Sequence, residues 1–415
     1  MPYYHIWTIG CQMNKAESER LAARFEELGY TGTQDISGAD LVVLNSCVVR
    51  QSAEDRVINK LHAIRRLKRE KPGVTLALTG CMVDSDIVKL HNNYPHIDHF
   101  FKAGDYPPWL EKSGALSLPR RPSPSVYVTI SQGCDNFCSY CIVPYRRGRE
   151  RSRPVAEIVC EVKELLKRGA REVVLLGQNV DSYGHDLSGK PDLADLLIEL
   201  NSIGGLVRLR FLTNHPKDMS RKLIGAIDGL DRVCEQVSLP VQAGSDAVLR
   251  AMRRGYTVGQ YRELVALIRK MVPGVAVSTD VIVGFPTETE AQFRQTLDLL
   301  SELKFDTVHV AAYSPRPGTA AAGKLEDDVP RAEKKARLAE VERLQKVIQT
   351  GINARLLGET VEILVEGRER GKWYGRTRTD KLVFFRSDDD CRGRLVNVRI
   401  EKTSPWSLQG EIEIG

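Results

Sequence analysis

Apolar residues recur at every second position in some stretches of this chain and at every third or fourth in others, and the two rhythms alternate. Tyr3 to Ile9 reads as a strand, Ala16 to Leu28 as an amphipathic helix ended by Gly29, Leu41 to Leu44 as a strand, Ala53 to Arg69 as a helix and Val74 to Leu78 as a strand. Strands alternating with helices imply a parallel sheet, so residues 1–110 are expected to form an α/β domain. A proline-rich stretch over 104–125 reads as a linker. A second series follows, with strands at Val126 to Ile130, Glu172 to Leu176, Val207 to Phe211, Glu235 to Leu239, Val275 to Val283 and Thr307 to Ala312, and helices such as Ala156 to Lys167 and Gln292 to Leu303 between them. Six such units over 120–350 predict an open or partial (β/α)6 barrel, whose chemistry would lie at the carboxyl ends of its strands. Pro330 opens a charged helix to about Ile352, whose alternating Lys, Arg and Glu read as a solvated face. Beyond Gly358 the period changes to two, as in Thr360-Val361-Glu362-Ile363-Leu364-Val365-Glu366, and 353–415 reads as a small all-β barrel.

The candidate chemistry falls at strand ends. Cys134, Cys138 and Cys141 stand in a Cys-x-x-x-Cys-x-x-Cys run after the first strand of the longer series, among the turn formers Gly133, Asp135, Asn136 and Ser139. Three thiolates can hold three corners of a cubane iron-sulfur cluster and leave one iron open to a small molecule. A buried helical stripe or a zinc site would also use cysteines, but the turn residues argue against the first and the lack of a second Cys-x-x-Cys pair nearby against the other. Cys11, Cys47 and Cys81 each lie just past a strand of the first sheet, at the edge where βα loops open, and are expected to converge as a second three-thiolate site. Loops at Leu176-Gly177-Gln178-Asn179, Pro240-Val241-Gln242-Ala243-Gly244-Ser245 and Ile282-Val283-Gly284-Phe285-Pro286 outline a small-molecule pocket on the same edge as the cluster cysteines.

Composition narrows the setting. The chain of 415 residues has the apolar and charged fractions of a globular protein, opens without a basic and apolar leader, and has no run suited to a membrane helix. Its nine cysteines are then expected in a reducing, cytoplasmic compartment, where thiols serve metals or catalysis. Cys160, Cys234 and Cys391 are the thiols outside the two triads, expected to be buried spares. A net charge of +6 permits a nucleic-acid partner without demanding one. Its distribution says more. Five arginines, Arg146, Arg147, Arg149, Arg151 and Arg153, follow the cluster motif, and Gly367 to Arg386 interleaves basic residues, Arg376 and Arg378 among them, with Trp373, Tyr374, Phe384 and Phe385. Such a segment suits RNA, stacking bases and neutralising phosphates, whereas the alternative is an edge strand whose aromatics face the core.

The stretch from Gly133 to Cys141 resembles the signature of radical S-adenosylmethionine enzymes, and the wider run from Val128 to Arg153 is similar to that of the methylthiotransferases. Thr8-Ile9-Gly10-Cys11-Gln12-Met13-Asn14, Asn45-Ser46-Cys47, Gly80-Cys81, Leu176-Gly177-Gln178-Asn179-Val180 and Tyr313-Ser314-Pro315-Arg316-Pro317-Gly318-Thr319 match in order, and the C-terminal module corresponds to the family's TRAM domain, so that the resemblance covers essentially the whole chain. It implies two [4Fe-4S] clusters, one on each cysteine triad. S-adenosylmethionine would bind the open iron of the Cys134, Cys138, Cys141 cluster and be cleaved to a 5′-deoxyadenosyl radical, while the Cys11, Cys47, Cys81 cluster would supply sulfur. It further implies that Tyr140, Gly177, Gln178, Gln242, Ser245, Gly284 and Pro286 contact the cofactor, and that Arg146, Arg147, Arg149, Arg376 and Arg378 contact RNA.

Cys11-Gln12-Met13-Asn14 looks like the branch acting on isopentenylated adenosine beside the anticodon of tRNA. The branches acting on threonylcarbamoyladenosine or on a ribosomal-protein aspartate are the alternatives, and a non-catalytic iron-sulfur carrier is opposed by two triads that each offer three cysteines. An electron donor such as flavodoxin or ferredoxin, a monomeric state and no membrane partner complete the expectations.

Overall fold

The computed structural model describes residues 1–83, 86–107, 109–110 and 117–413. Its first sheet has five parallel strands in the order Thr31–Gly32, Tyr3–Thr8, Leu41–Ser46, Thr75–Gly80, His99–Phe100. The strands that carry Cys11, Cys47 and Cys81 at their carboxyl ends are therefore immediate neighbours. Leu41–Ser46 is buried at every position, as expected of a central parallel strand covered on both faces.

All six strands of the second series are present, as Ser125–Thr129, Glu172–Leu176, Arg208–Phe211, Gln236–Ser238, Ala276–Val283 and Thr307–Ala312. They form two parallel three-stranded sheets, and the pairing of Leu209 with Val233 joins the two into one open array. Helices cover the outer face. Its inner face is partly filled by the helix Gln12–Glu27, whose Met13 and Ala16 pack on Val174 and Leu176. That helix was expected to begin at Ala16; Cys11 is its N-cap, so a candidate ligand and a helix start coincide.

Of the expected linker, residues 108 and 111–116 lie outside the described residues. The flanking parts are anchored: Leu110 is buried in the first domain's core and Leu118 in the second's. The helix Arg331–Ala354 is less solvated than its charges imply, because Lys334, Arg337, Val341 and Gln345 form a buried stripe in which Arg337 pairs with Glu288 at 2.8 Å.

The C-terminal strands Thr360–Glu369, Lys372–Thr377, Leu382–Phe385, Leu395–Thr403 and Leu408–Ile412 close into a barrel. Trp373 pairs with Phe385 and both point into its core, while the next pair along, Tyr374 and Phe384, point outward with ring centroids 6.1 Å apart. The alternation of a strand thus divides the four aromatics into two structural and two surface residues.

Two buried arginines on the strand Arg208–Phe211 fasten this barrel to the central domain. Arg208 donates to the carbonyls of Arg376 and Glu362, and Arg210 to those of Thr377 and Arg378, while Arg210 Nε also pairs with Glu172 at 2.9 Å. Both side chains of that last pair are under 5% exposed. Arg210→Ala would strand the Glu172 carboxylate, with an expected cost of about 3–5 kcal/mol. The check is the midpoint of chemical denaturation, and an unchanged midpoint would mean the joint carries no stability.

Candidate functional site: two adjoining thiol triads

Cys134, Cys138 and Cys141 lie on a loop rather than a helix between the strand Ser125–Thr129 and the short helix Val143–Arg147. Gly133 opens that loop with φ +80°, and a Cβ there would lie 2.1 Å from the Arg149 carbonyl oxygen, so only glycine lets the returning chain pass this closely. The loop is pinned by Cys134 N donating to Gly148 O, by Ser139 N and Oγ donating to Met252 O and Ala251 O, and by Arg254 Nη1 at 3.3 Å from Cys138 Sγ. Burial pushes the Cys141 thiol up to about 12, with Cys138 and Cys134 adding to the shift.

In the first domain the network is side chain to side chain. Asn14 Oδ1 lies 3.4 Å from both the amide nitrogen and Sγ of Cys11, while Asn14 Nδ2 donates to Asn45 Oδ1 and Ser46 O. Ser46 in turn accepts at its carbonyl from Cys81 N and binds Thr79 O and Met82 N through its hydroxyl. Asn14, Asn45 and Ser46, all fully buried, therefore register three loops far apart in sequence. Gly80 has φ +91° and a Cβ would meet Ser46 O at 2.3 Å. Burial raises the Cys81 thiol to about 11 while Arg147 pulls the other way, and burial also raises Cys47, with Cys11 adding to it.

The two triads adjoin. Cys81 packs with Val48 and with Ile142, the residue after Cys141. Arg147 reaches back from the same segment, its Nε 3.3 Å from Cys81 Sγ and its Nη1 2.6 Å from Glu17 Oε1. On the far side, Arg316 binds Val48 O, Gln51 and Glu54, tying the Cys47 loop to the last strand of the central array. Among the described residues no three His, Cys, Asp or Glu side chains surround a single-ion site. A cubane asks for something different, since each thiolate binds its own iron and the sulfurs stand apart. Two sets of three mostly buried thiols, each beside a buried arginine, are a donor set that fits such clusters.

The loops expected to hold a small molecule lie along the carboxyl edge of the array. Gln178 Oε1, Asn179 Oδ1, Asn214 Oδ1, His215 Nε2 and Gln242 Oε1 are buried there with no partner among the described residues. Orphaned polar atoms of this kind fit a polar ligand such as S-adenosylmethionine. Gly177 faces Ser131, Ser245 stands at the N-cap position of the helix Asp246–Ala251 without a side-chain capping bond, Tyr140 packs on the core beside the charge of Arg254, and Gly284 N donates to Glu288 next to the buried Pro286. No pattern in the sequence singles out His215 or its neighbours Asn214 and Asp181. His215 is pushed down to about 2, chiefly by burial, and is neutral; Asp181, which accepts from Asn214 and His215 N, is raised by burial to about 7.

The arginines expected to face RNA have different fates. Arg149 is exposed, paired with Asp135 at 2.7 Å and stacked over Phe137, and Arg146 lies half-buried on the short helix. Arg376 is half-buried beside Asp380 and Glu366. Arg147 has only 4% of its side chain exposed, and Arg378 is engaged with Glu235 and Val233 O at the joint between domains. Sequence shows that these two are cations but not that distant carboxylates neutralise them. Of the three spare thiols, Cys234 and Cys391 are buried as expected and Cys160 is exposed on its helix.

A cavity of about 940 Å³ lies inside the open array. Its wall takes Cys11, Lys15 and Arg50 from the first domain, Tyr127, Arg210, Asp280 and His309 from the strands, and Tyr374, Arg376 and Trp406 from the C-terminal barrel. It is large enough for a nucleoside.

Family models match the same three parts: the radical SAM superfamily over residues 128–300, an uncharacterised protein family (UPF0004) over 3–102 and the TRAM domain over 354–412. A tRNA-2-methylthio-N(6)-dimethylallyladenosine synthase of Dehalococcoides mccartyi is 56% identical over 99% of both chains, and one of Roseiflexus is 50% identical over 98% of this chain and 89% of its own. The chain belongs to the radical S-adenosylmethionine methylthiotransferases, in the branch of these synthases. The fold is also similar to that of the radical S-adenosylmethionine methyltransferase TsrM from Kitasatospora setae, at a TM-score of 0.54 and 14% identity, covering 78% of this chain and 77% of that one. As a methylthiotransferase of this family the chain uses S-adenosylmethionine and [4Fe-4S] clusters. Among the described residues no helix is long and apolar enough to cross a membrane.

Proposed function

We propose that this methylthiotransferase places a methylthio group on C2 of N6-isopentenyladenosine beside the anticodon of tRNA. The observation that carries the reading is the cavity, whose wall takes Cys11 of one triad together with residues of the TRAM barrel, while the other triad adjoins the first through Cys81 and Ile142. Cys134, Cys138 and Cys141 would hold the cluster that binds S-adenosylmethionine, and Cys11, Cys47 and Cys81 the second one. When bound, these groups supply the one-electron cleavage and the sulfur.

The chain's own residues place the base and exclude water. A base in a loop must leave its stack to enter a lumen of this kind, and Tyr374 and Trp406 in its wall are rings on which it can stack. Arg146, Arg149 and Arg376 are the candidates for neighbouring phosphates, so affinity should fall with salt. We further propose that the enzyme acts as a cytoplasmic monomer with flavodoxin or ferredoxin as electron donor.

Mass spectrometry of tRNA nucleosides from cells lacking the gene tests the substrate. The expected result is loss of the methylthio derivative with the isopentenyl group retained. Unchanged levels overturn the proposal, and a loss confined to threonylcarbamoyladenosine moves the enzyme to the alternative branch.

A further inference from the structure

Arg147 belongs to the central domain, yet its side chain ends in the first. It is six residues past Cys141, and its guanidinium meets Cys81 Sγ at 3.3 Å through Nε and Glu17 Oε1 at 2.6 Å through Nη1. The side chains of Arg147 and Glu17 are 4% and 9% exposed. The remaining terminal nitrogen, Nη2, is buried with no partner among the described residues. A buried cation is costly, and a single carboxylate leaves one of its donors unanswered. An RNA phosphate cannot supply the missing partner at a site this enclosed. The thiols of Cys11, Cys47 and Cys81 are the chemistry at hand. The other triad has the matching arrangement, with buried Arg254 3.3 Å from Cys138 Sγ.

We propose that Arg147 is a positioning residue for the second cluster: it donates hydrogen bonds to the Cys81 thiolate and to a cluster sulfide, and so sets how readily that cluster accepts an electron. The inference rests on the reading that Cys11, Cys47 and Cys81 hold a cluster. Reduction adds negative charge, and a guanidinium in a medium that screens poorly stabilises the reduced state more than the oxidised one. Hydrogen bonds to cluster sulfur act in the same direction. Glu17 opposes them as the arginine's counter-charge.

The test uses the full chain with Cys134, Cys138 and Cys141 replaced by alanine, so that any cluster after anaerobic reconstitution belongs to the second triad. Its midpoint potential is then followed by electron paramagnetic resonance, alone and with R147Q, R147K or E17Q. We expect R147Q to lower the potential, R147K to restore part of the loss, and E17Q to raise it. A residue that merely props the fold would not give shifts of opposite sign for the two partners. Potentials unchanged in both R147Q and E17Q, with iron content equal to the parent, overturn the proposal. Should R147Q fail to retain iron, E17Q and R147K still decide: no rise in the first and no shift in the second count against it. Failure of the parent itself to take up iron would refute the cluster reading instead.

Discussion

Cys134→Ala is expected to abolish reductive cleavage of S-adenosylmethionine and product formation together. Three thiolates are the whole protein contribution to the first cluster, and the Cys134 side chain sits where Gly133 turns the chain and Cys134 N is held by Gly148 O. Nothing in the loop can replace it, because the nearest polar groups are engaged elsewhere: Asp135 with Arg149 and Ser139 with Ala251. The loss should far exceed the roughly 10–100-fold that changes outside a cluster's ligands produce. The measurement is 5′-deoxyadenosine released under a chemical reductant, beside methylthiolated RNA. Cleavage at the parent rate would remove Cys134 from the ligand set.

Cys81→Ala should separate the two activities. Product is lost, while cleavage of S-adenosylmethionine persists once the first cluster is reconstituted. The anchors of the first triad, Gly148, Met252, Ala251 and Arg254, all belong to the central domain and do not pass through Cys81. Those of Cys81 run through Ser46 in the first sheet. The fold should tolerate the change, since the thiol packs on Val48 and Ile142 and the loss of its contact with Arg147 Nε leaves the Arg147–Glu17 pair in place. Equal loss of cleavage, with the first cluster shown intact by its spectrum, would contradict this division of labour.

Periodicity located all six strands of the second array and the three long strands of the first, because a strand buried on both faces or capped by turn residues announces itself locally; the two-residue edge strands Thr31–Gly32 and His99–Phe100 are too short to show a period. It also placed both cysteine triads on the correct edge, since a βα loop opens at one end of a parallel sheet only. What it missed depends on contacts between distant parts. The first helix begins at Gln12 rather than Ala16 because Met13 is buried against another domain. Arg208 and Arg210 look like ordinary polar positions in a strand until their acceptors, 154 to 168 residues later, are in place. Arg147 and Arg378 were grouped with exposed arginines because charge is visible in sequence and the partner that neutralises it is not. Asn14 and Asn45 were legible only as members of motifs; their work is to hold one cysteine loop against another.

The order of the segments around Cys81 bears on how the enzyme is made. Synthesis runs from the amino terminus, and early domains begin to fold while later ones are still being added. On the ribosome, the sheet that carries Cys11, Cys47 and Cys81 can form while Ile142 and Arg147, which cover that edge in the finished protein, are still unmade. Its three thiols then face solvent as an open edge, accessible to iron delivery and equally to oxidation, until the next domain folds over them.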